Sequence, residues 1–198
     1  MTVSTTINLS KGQAGVFLRK TAAPIIVHVS WPSKTDYDLH ALVLNRDGTV
    51  AHVAMFGADG VPPQQSYKGV SSSGDAGRGV GIATETLTVM MDDSIAAVVP
   101  VAYSAQSNGS GSFRRYRVSL AVDNGAGQRV EIDASNAGND DGVYTCVPAV
   151  VHNGTDGTVL VEPVELYSRR GSENRPAVQF QNGRTVVIMD AGPRNNYK

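Results

Sequence analysis

Arg115-Tyr116-Arg117-Val118-Ser119-Leu120-Ala121-Val122, then Asp123-Asn124-Gly125-Ala126-Gly127, then Arg129-Val130-Glu131-Ile132-Asp133, is the stretch that decides the fold class. In its first run Tyr116, Val118, Leu120 and Val122 alternate with Arg115, Arg117 and Ser119. That period of two places one set of side chains in a core and the other in water. Charged and branched apolar residues alternate again in the last run, and the Asn-Gly between them suits a tight turn, so a β-hairpin is predicted.

Working outward, Leu39 to Asn45 and Thr49 to Phe56 read as a second hairpin across Arg46-Asp47-Gly48, with glycine supplying the positive φ of the turn. Further strands are predicted at 25–31, 84–91, 97–104, 144–152, 159–167 and 177–181. The run Ala96-Ala97-Val98-Val99-Pro100-Val101-Ala102 is almost wholly apolar, as in a strand buried on both faces. Pro100 lacks an N–H for the ladder, which predicts a bulge or a sheet edge there. Helical periodicity is scarce, and 21 glycines punctuate short Val-, Thr- and Ile-rich runs. So many short strands need two packed sheets or a closed barrel, and the long glycine-rich connections favour the former. The expected fold is all-β, a two-sheet antiparallel β-sandwich forming a single domain over residues 1–198. Between Gly57 and Gly81 no strand is predicted; about 25 residues without structure usually mark a functional, ligand-ordered or disordered loop.

Seventeen basic and 18 acidic residues nearly cancel. A general nucleic-acid binder needs a basic footprint, so no nucleic-acid partner is expected. The one cysteine, Cys146, excludes an internal disulfide and suits a reducing compartment. The N-terminus lacks a basic and apolar leader pattern, and no apolar run approaches the ~20 residues that span a bilayer, so the cytoplasm is the expected location. Cys146 lies in a predicted strand, where cysteine behaves as a small buried hydrophobe. No nucleophile elbow, P-loop or dinucleotide fingerprint is present, and the four histidines lack zinc-ligand spacing, so the chain is not expected to be an enzyme. The pairs Arg114-Arg115 and Arg169-Arg170 read as solvated faces.

Chemistry concentrates in acidic loops. Thr35-Asp36-Tyr37-Asp38-Leu39-His40 enters a strand whose period places Asp36, Asp38 and His40 on one side. Two like charges ~4 Å apart repel by roughly 4 kcal/mol at an effective dielectric of about 20, so converging carboxylates need a cation, protons, donors or water. Calcium takes six to eight oxygen ligands and commonly mixes carboxylates with carbonyls of glycine-rich loops. Gly74-Asp75-Ala76-Gly77-Arg78-Gly79-Val80-Gly81 is such a loop, and Glu85 follows it. The expected ligand set is Asp36, Asp38, Asp75 and Glu85, with Gly79 from the loop. Asp side chains also stabilise turns without metal, and His40 is expected to be hydrogen-bonded or exposed rather than a ligand.

Several segments together resemble the TerD-type tellurium-resistance and stress-response proteins. Ile7-Asn8-Leu9-Ser10-Lys11-Gly12 resembles that family's opening Leu-Ser-Lys-Gly, and Val27-His28-Val29-Ser30-Trp31 its Val-Trp strand. Asp36-Tyr37-Asp38-Leu39-His40-Ala41 is similar to its Asp-Phe/Tyr-Asp-Leu-Asp-Ala, Gly74-Asp75 opens the second loop, and Glu85 closes it. Glu165-Leu166-Tyr167-Ser168-Arg169 resembles its late Glu-Leu-Tyr-Arg. The resemblance implies a two-sheet sandwich with calcium between two acidic loops and a role in resistance to tellurite and other stresses. Other stress-response proteins, met at a membrane surface, are the partners considered. The chain departs from the pattern at His40, at Ala76-Gly77 and at Ile82-Ala83-Thr84. The alternative is a metal-free scaffold in which Arg78 pairs with Asp75.

Overall fold

The computed structural model describes residues 5–32, 34–75, 81–108, 111–134, 138 and 140–196. Its strands are β1 (Thr5–Leu9), β2 (Val16–Arg19), β3 (Ile25–Pro32), β4 (Asp38–Asn45), β5 (Val50–Val53), β6 (Ser66–Tyr67), β7 (Val70–Ser72) and β8 (Ile82–Val89). They continue as β9 (Ile95–Tyr103), β10 (Ser119–Asp123), β11 (Gln128–Asp133), β12 (Thr145–Asn153), β13 (Thr158–Tyr167), β14 (Ala177–Gln181) and β15 (Arg184–Ile188). A seven-stranded sheet in the order β1-β11-β10-β3-β8-β7-β6 faces a six-stranded sheet in the order β2-β13-β12-β9-β4-β5, and β14 and β15 form a separate hairpin. The pairing is antiparallel throughout except between β1 and β11. This is the expected all-β sandwich. Among the described residues no helix is long and apolar enough to cross a membrane.

Alternation builds the space between the sheets. On β3, Ile25, Val27, Val29 and Trp31 point inward while the residues between them are half-buried. They meet Ala41 and Val43 of β4, and Val98 and Ala102 of β9, in one core cluster. Strands β4, β9 and β12 do not alternate, because their other face is covered as well. There Leu42, Leu44, Val99, Val101, Val147 and Val150 pack with Val178 of the β14–β15 hairpin. Uninterrupted apolar runs are what a strand buried on both faces requires.

Pro100 sits in the interior of its sheet, not at an edge: it pairs with Ala41 on one side. On the other side the register between β9 and β12 shifts between Cys146 and Val151, which supplies the expected bulge. Pro148 of β12 lies at a second register shift, against β13. Each proline therefore sits where the ladder is already broken.

Three readings change. The strand expected from Arg115 begins only at Ser119. Before it, Arg117 adopts φ 48°, and Val118 N–H donates to Phe113 O at 2.9 Å. This turn drives Phe113 into the core against Tyr37, ring centroids 5.1 Å apart, so packing overrides the local alternation. The stretch from Gly57 is not structureless. It holds β6 and β7, joined through Lys68 and Gly69 at φ 42° and 81°, the left-handed pair of a tight hairpin turn. Finally β1, β2 and β15 pair where no strand is expected.

Candidate metal centre

Asp38 opens β4, in register with Tyr103 of β9. The loop before it is fixed from within: Tyr37 is fully buried and lies edge-on to Trp31, 5.6 Å between ring centroids. Trp31 Nε1 in turn donates to Thr35 O at 3.1 Å. Burial of this aromatic pair holds the loop against the core and delivers Asp38 to the end of the sandwich.

Glu85 lies on the inward face of β8, opposite Val29. Its Oε2 accepts the Leu39 N–H at 2.5 Å, tying the seven-stranded sheet to β4. Asp75 follows Gly74, whose φ is +86° and whose added Cβ would lie 2.9 Å from Met55 Sδ. The positive φ favours glycine there, whereas the exposed Met55 side chain can move aside.

Carboxylate oxygens of Asp38, Asp75 and Glu85 lie within 4.8 Å of one another. Asp38 and Glu85 are buried and Asp75 is exposed, so the group opens to water on one side. Three charges at this spacing repel one another by several kcal/mol, and a hard cation with oxygen ligands reverses that sign. The set contains neither sulfur nor imidazole, which disfavours zinc.

Of the other expected ligands, Asp36 is buried but stands outside this group. The period-of-two reading fails for it because β4 begins at Asp38, after the inward-turned Tyr37. Gly79 lies outside the described residues, as do Ala76, Gly77 and Arg78. His40 is neither exposed nor hydrogen-bonded. It is fully buried, neither ring nitrogen has a partner among the described residues, and the ring stands edge-on to Phe56 with centroids 5.5 Å apart.

A second polar group went unforeseen. Arg175, fully buried, donates to Asn195 Oδ1 at 2.6 Å, His52 Nδ1 at 3.1 Å and Phe56 O at 2.8 Å. Glu173 beside it accepts from Tyr103 Oη at 2.9 Å and the Gln106 N–H at 2.7 Å. These bonds fasten the C-terminal segment to the six-stranded sheet. Burial lowers the Arg175 guanidinium to about 10, and burial together with Arg175 lowers the His52 imidazole to about 4. Nothing in Ser172-Glu173-Asn174-Arg175 distinguishes it from a solvated loop.

Cys146 is buried, and burial followed by Glu165 raises its thiol well above the ordinary value. That is the expected small core hydrophobe, not an activated nucleophile. Arg115, Arg169 and Arg170 are exposed and ion-paired with Asp141, Asp190 and Asp140.

No family model matches the chain, and no curated protein matches it in sequence.

Proposed function

We propose that the chain is a non-enzymatic calcium-binding module of the TerD-like stress-resistance type, acting in the cytoplasm, with the ion held by Asp38, Asp75 and Glu85. The observation that carries this is the convergence of three carboxylates from three separate segments within 4.8 Å. Calcium suits the set better than magnesium. It accepts irregular coordination and six to eight oxygens, whereas magnesium demands a near-ideal octahedron. The exposed side at Asp75 leaves room for water ligands. Tellurite and stress resistance, with other stress-response proteins at a membrane surface as partners, rest on the sequence resemblance alone. The second reading, a metal-free scaffold, is favoured by the Leu39 N–H, which already satisfies one oxygen of Glu85.

Calorimetric titration of the chelator-stripped chain with calcium tests the proposal. One binding event per chain is expected, weakened in Asp75→Asn, an exposed position whose substitution leaves the core alone. At a 100-fold excess over Kd the native state gains about 2.7 kcal/mol. No binding heat and no melting shift at millimolar calcium would refute it.

A further inference from the structure

Asn-Gly occurs four times, as Asn108-Gly109, Asn124-Gly125, Asn153-Gly154 and Asn182-Gly183. In this pair the asparagine loses its side-chain amide most readily without an enzyme, because glycine leaves the following main-chain nitrogen unhindered. That nitrogen attacks the asparagine Cγ, so both the side chain and the glycine N–H must be free to turn. Gly109 lies outside the described residues; the other three pairs differ in what holds them.

Two of them are locked at both reacting groups. Asn124 is buried, and its Nδ2 donates to Arg19 O at 3.1 Å and to Gln128 Oε1 at 2.7 Å. Its Oδ1 accepts from the Ala126 and Gln128 N–H groups, each at 3.0 Å. The attacking nitrogen is tied as well, since the Gly125 N–H donates to Asp123 Oδ1 at 2.7 Å. Asn153 is also buried and donates to Asp92 O at 3.0 Å and Ile95 O at 2.8 Å, while the Gly154 N–H donates to Thr158 O at 3.1 Å. Asn182 shares none of this. It is exposed, its side chain makes no hydrogen bond with any described residue, and neither does the Gly183 N–H. A Cβ added at Gly183 would meet nothing within 4 Å, so the tip of the turn stands in open space.

We propose that Asn182 is a site of spontaneous deamidation, a slow covalent timer acting on the β14–β15 hairpin that covers the six-stranded sheet. Gly183 N bonds to Asn182 Cγ as the Cγ–Nδ2 bond breaks, and ammonia leaves with the amide proton. Water then opens the cyclic imide at one of its two carbonyls. One opening gives aspartate; the other gives isoaspartate, with the main chain rerouted through the side chain. Isoaspartate adds a carbon to a two-residue turn whose φ values, 52° and 75°, match the twist of the flanking strands. That turn sets the register in which Gln181 faces Arg184 and Val178 faces Val187. Val178 and Val187 pack with Leu42, Val99 and Val147, so a loosened hairpin uncovers the outer apolar face of the six-stranded sheet.

The test is incubation of the full chain at mildly alkaline pH and body temperature, native and in urea, with peptide mass mapping and enzymatic methylation of isoaspartate. It is run in excess chelator, so the carboxylate cluster takes no part and the calcium proposal stands or falls separately. In the native chain Asn182 should convert about tenfold or more faster than Asn124 and Asn153, whose bonds must first open. In urea the three rates should converge. The aged chain should show a lower urea midpoint and faster amide exchange over Ala177–Ile188, whereas Asn182→Ser, aged alike, should lose less on both. No conversion at Asn182, or conversion at Asn124 or Asn153 keeping pace with it in the native chain, would overturn the site. Isoaspartate at position 182 with an unchanged midpoint and unchanged exchange would overturn the timer.

Discussion

Leu42→Ala probes the feature on which the position of Asp38 depends, the covering of the six-stranded sheet on its outer face. Leu42 is fully buried on the side of β4 that packs with Val99, Val101, Val147 and Val178 rather than with the opposing sheet. Truncating a fully buried leucine removes its transfer free energy and leaves a cavity, together about 2–5 kcal/mol. At about 3 kcal/mol the folding constant falls by roughly two orders of magnitude, and Tm drops by about 6–12 °C for a chain of this length. Urea unfolding followed by the fluorescence of Trp31, the one tryptophan and buried between the sheets, reads this as a lower midpoint at unchanged slope. A loss below about 1 kcal/mol is what a half-exposed leucine gives. That result would mean that the β14–β15 hairpin does not cover β4, and that β4 is clamped from one side only.

Other consequences are separately measurable. Gly192→Ala places a Cβ 2.7 Å from Pro176 O and 2.8 Å from Arg175 O; backbone must move, and a loss of about 1–3 kcal/mol is expected by the same urea assay, whereas an unchanged midpoint refutes the close approach. Buried His40 and half-buried His52 set a pH dependence. His52 and His40 are held below their ordinary value, His52 at about 4, by burial first and by Arg175 next. The unfolded chain, with histidines near 6.5, therefore binds more protons between about 6.5 and 4, so stability is full above that window and is lost as pH falls through it. Urea midpoints should drop on acidification, and less steeply in His40→Leu; parallel curves for the two chains would count against the reading. Cys146 should react with a thiol reagent only as fast as the chain unfolds, and rapid labelling of the native protein would contradict its burial.

The hairpin β10–β11 and the inward face of β3 were legible because one face of each meets water, and alternation records that directly. The continuous runs of β4, β9 and β12 announced burial on both faces but not the covering element. That element is β14 with β15, whose turn contains Asn182 at φ 52° and Gly183 at φ 75°. Asn-Gly between β-rich runs is a strong hairpin signal, and it passed unread because Arg184–Ile188 is half-exposed and carries no clear alternation. Asp38 is legible as a carboxylate at a strand entrance, and Asp75 and Glu85 as carboxylates in and after a glycine-rich loop. Asp36 was misplaced because a period of two holds only inside a strand. The fastening by Glu173 and Arg175 left no trace, since buried charged residues in a connection look like solvated ones until their partners, His52, Tyr103 and Asn195, are placed in space. His40 illustrates the same limit: its neighbour Phe56 lies on the far side of a strand turn.

The most direct measurement of the central claim is anomalous scattering from calcium-soaked crystals at the carboxylate cluster. The account predicts one ion between Asp38, Asp75 and Glu85, with an oxygen of each at about 2.3–2.6 Å and waters on the side of Asp75. An ordered 76–80 loop with Arg78 paired to Asp75, and no anomalous peak among the three carboxylates at millimolar calcium, would contradict it and leave the metal-free scaffold.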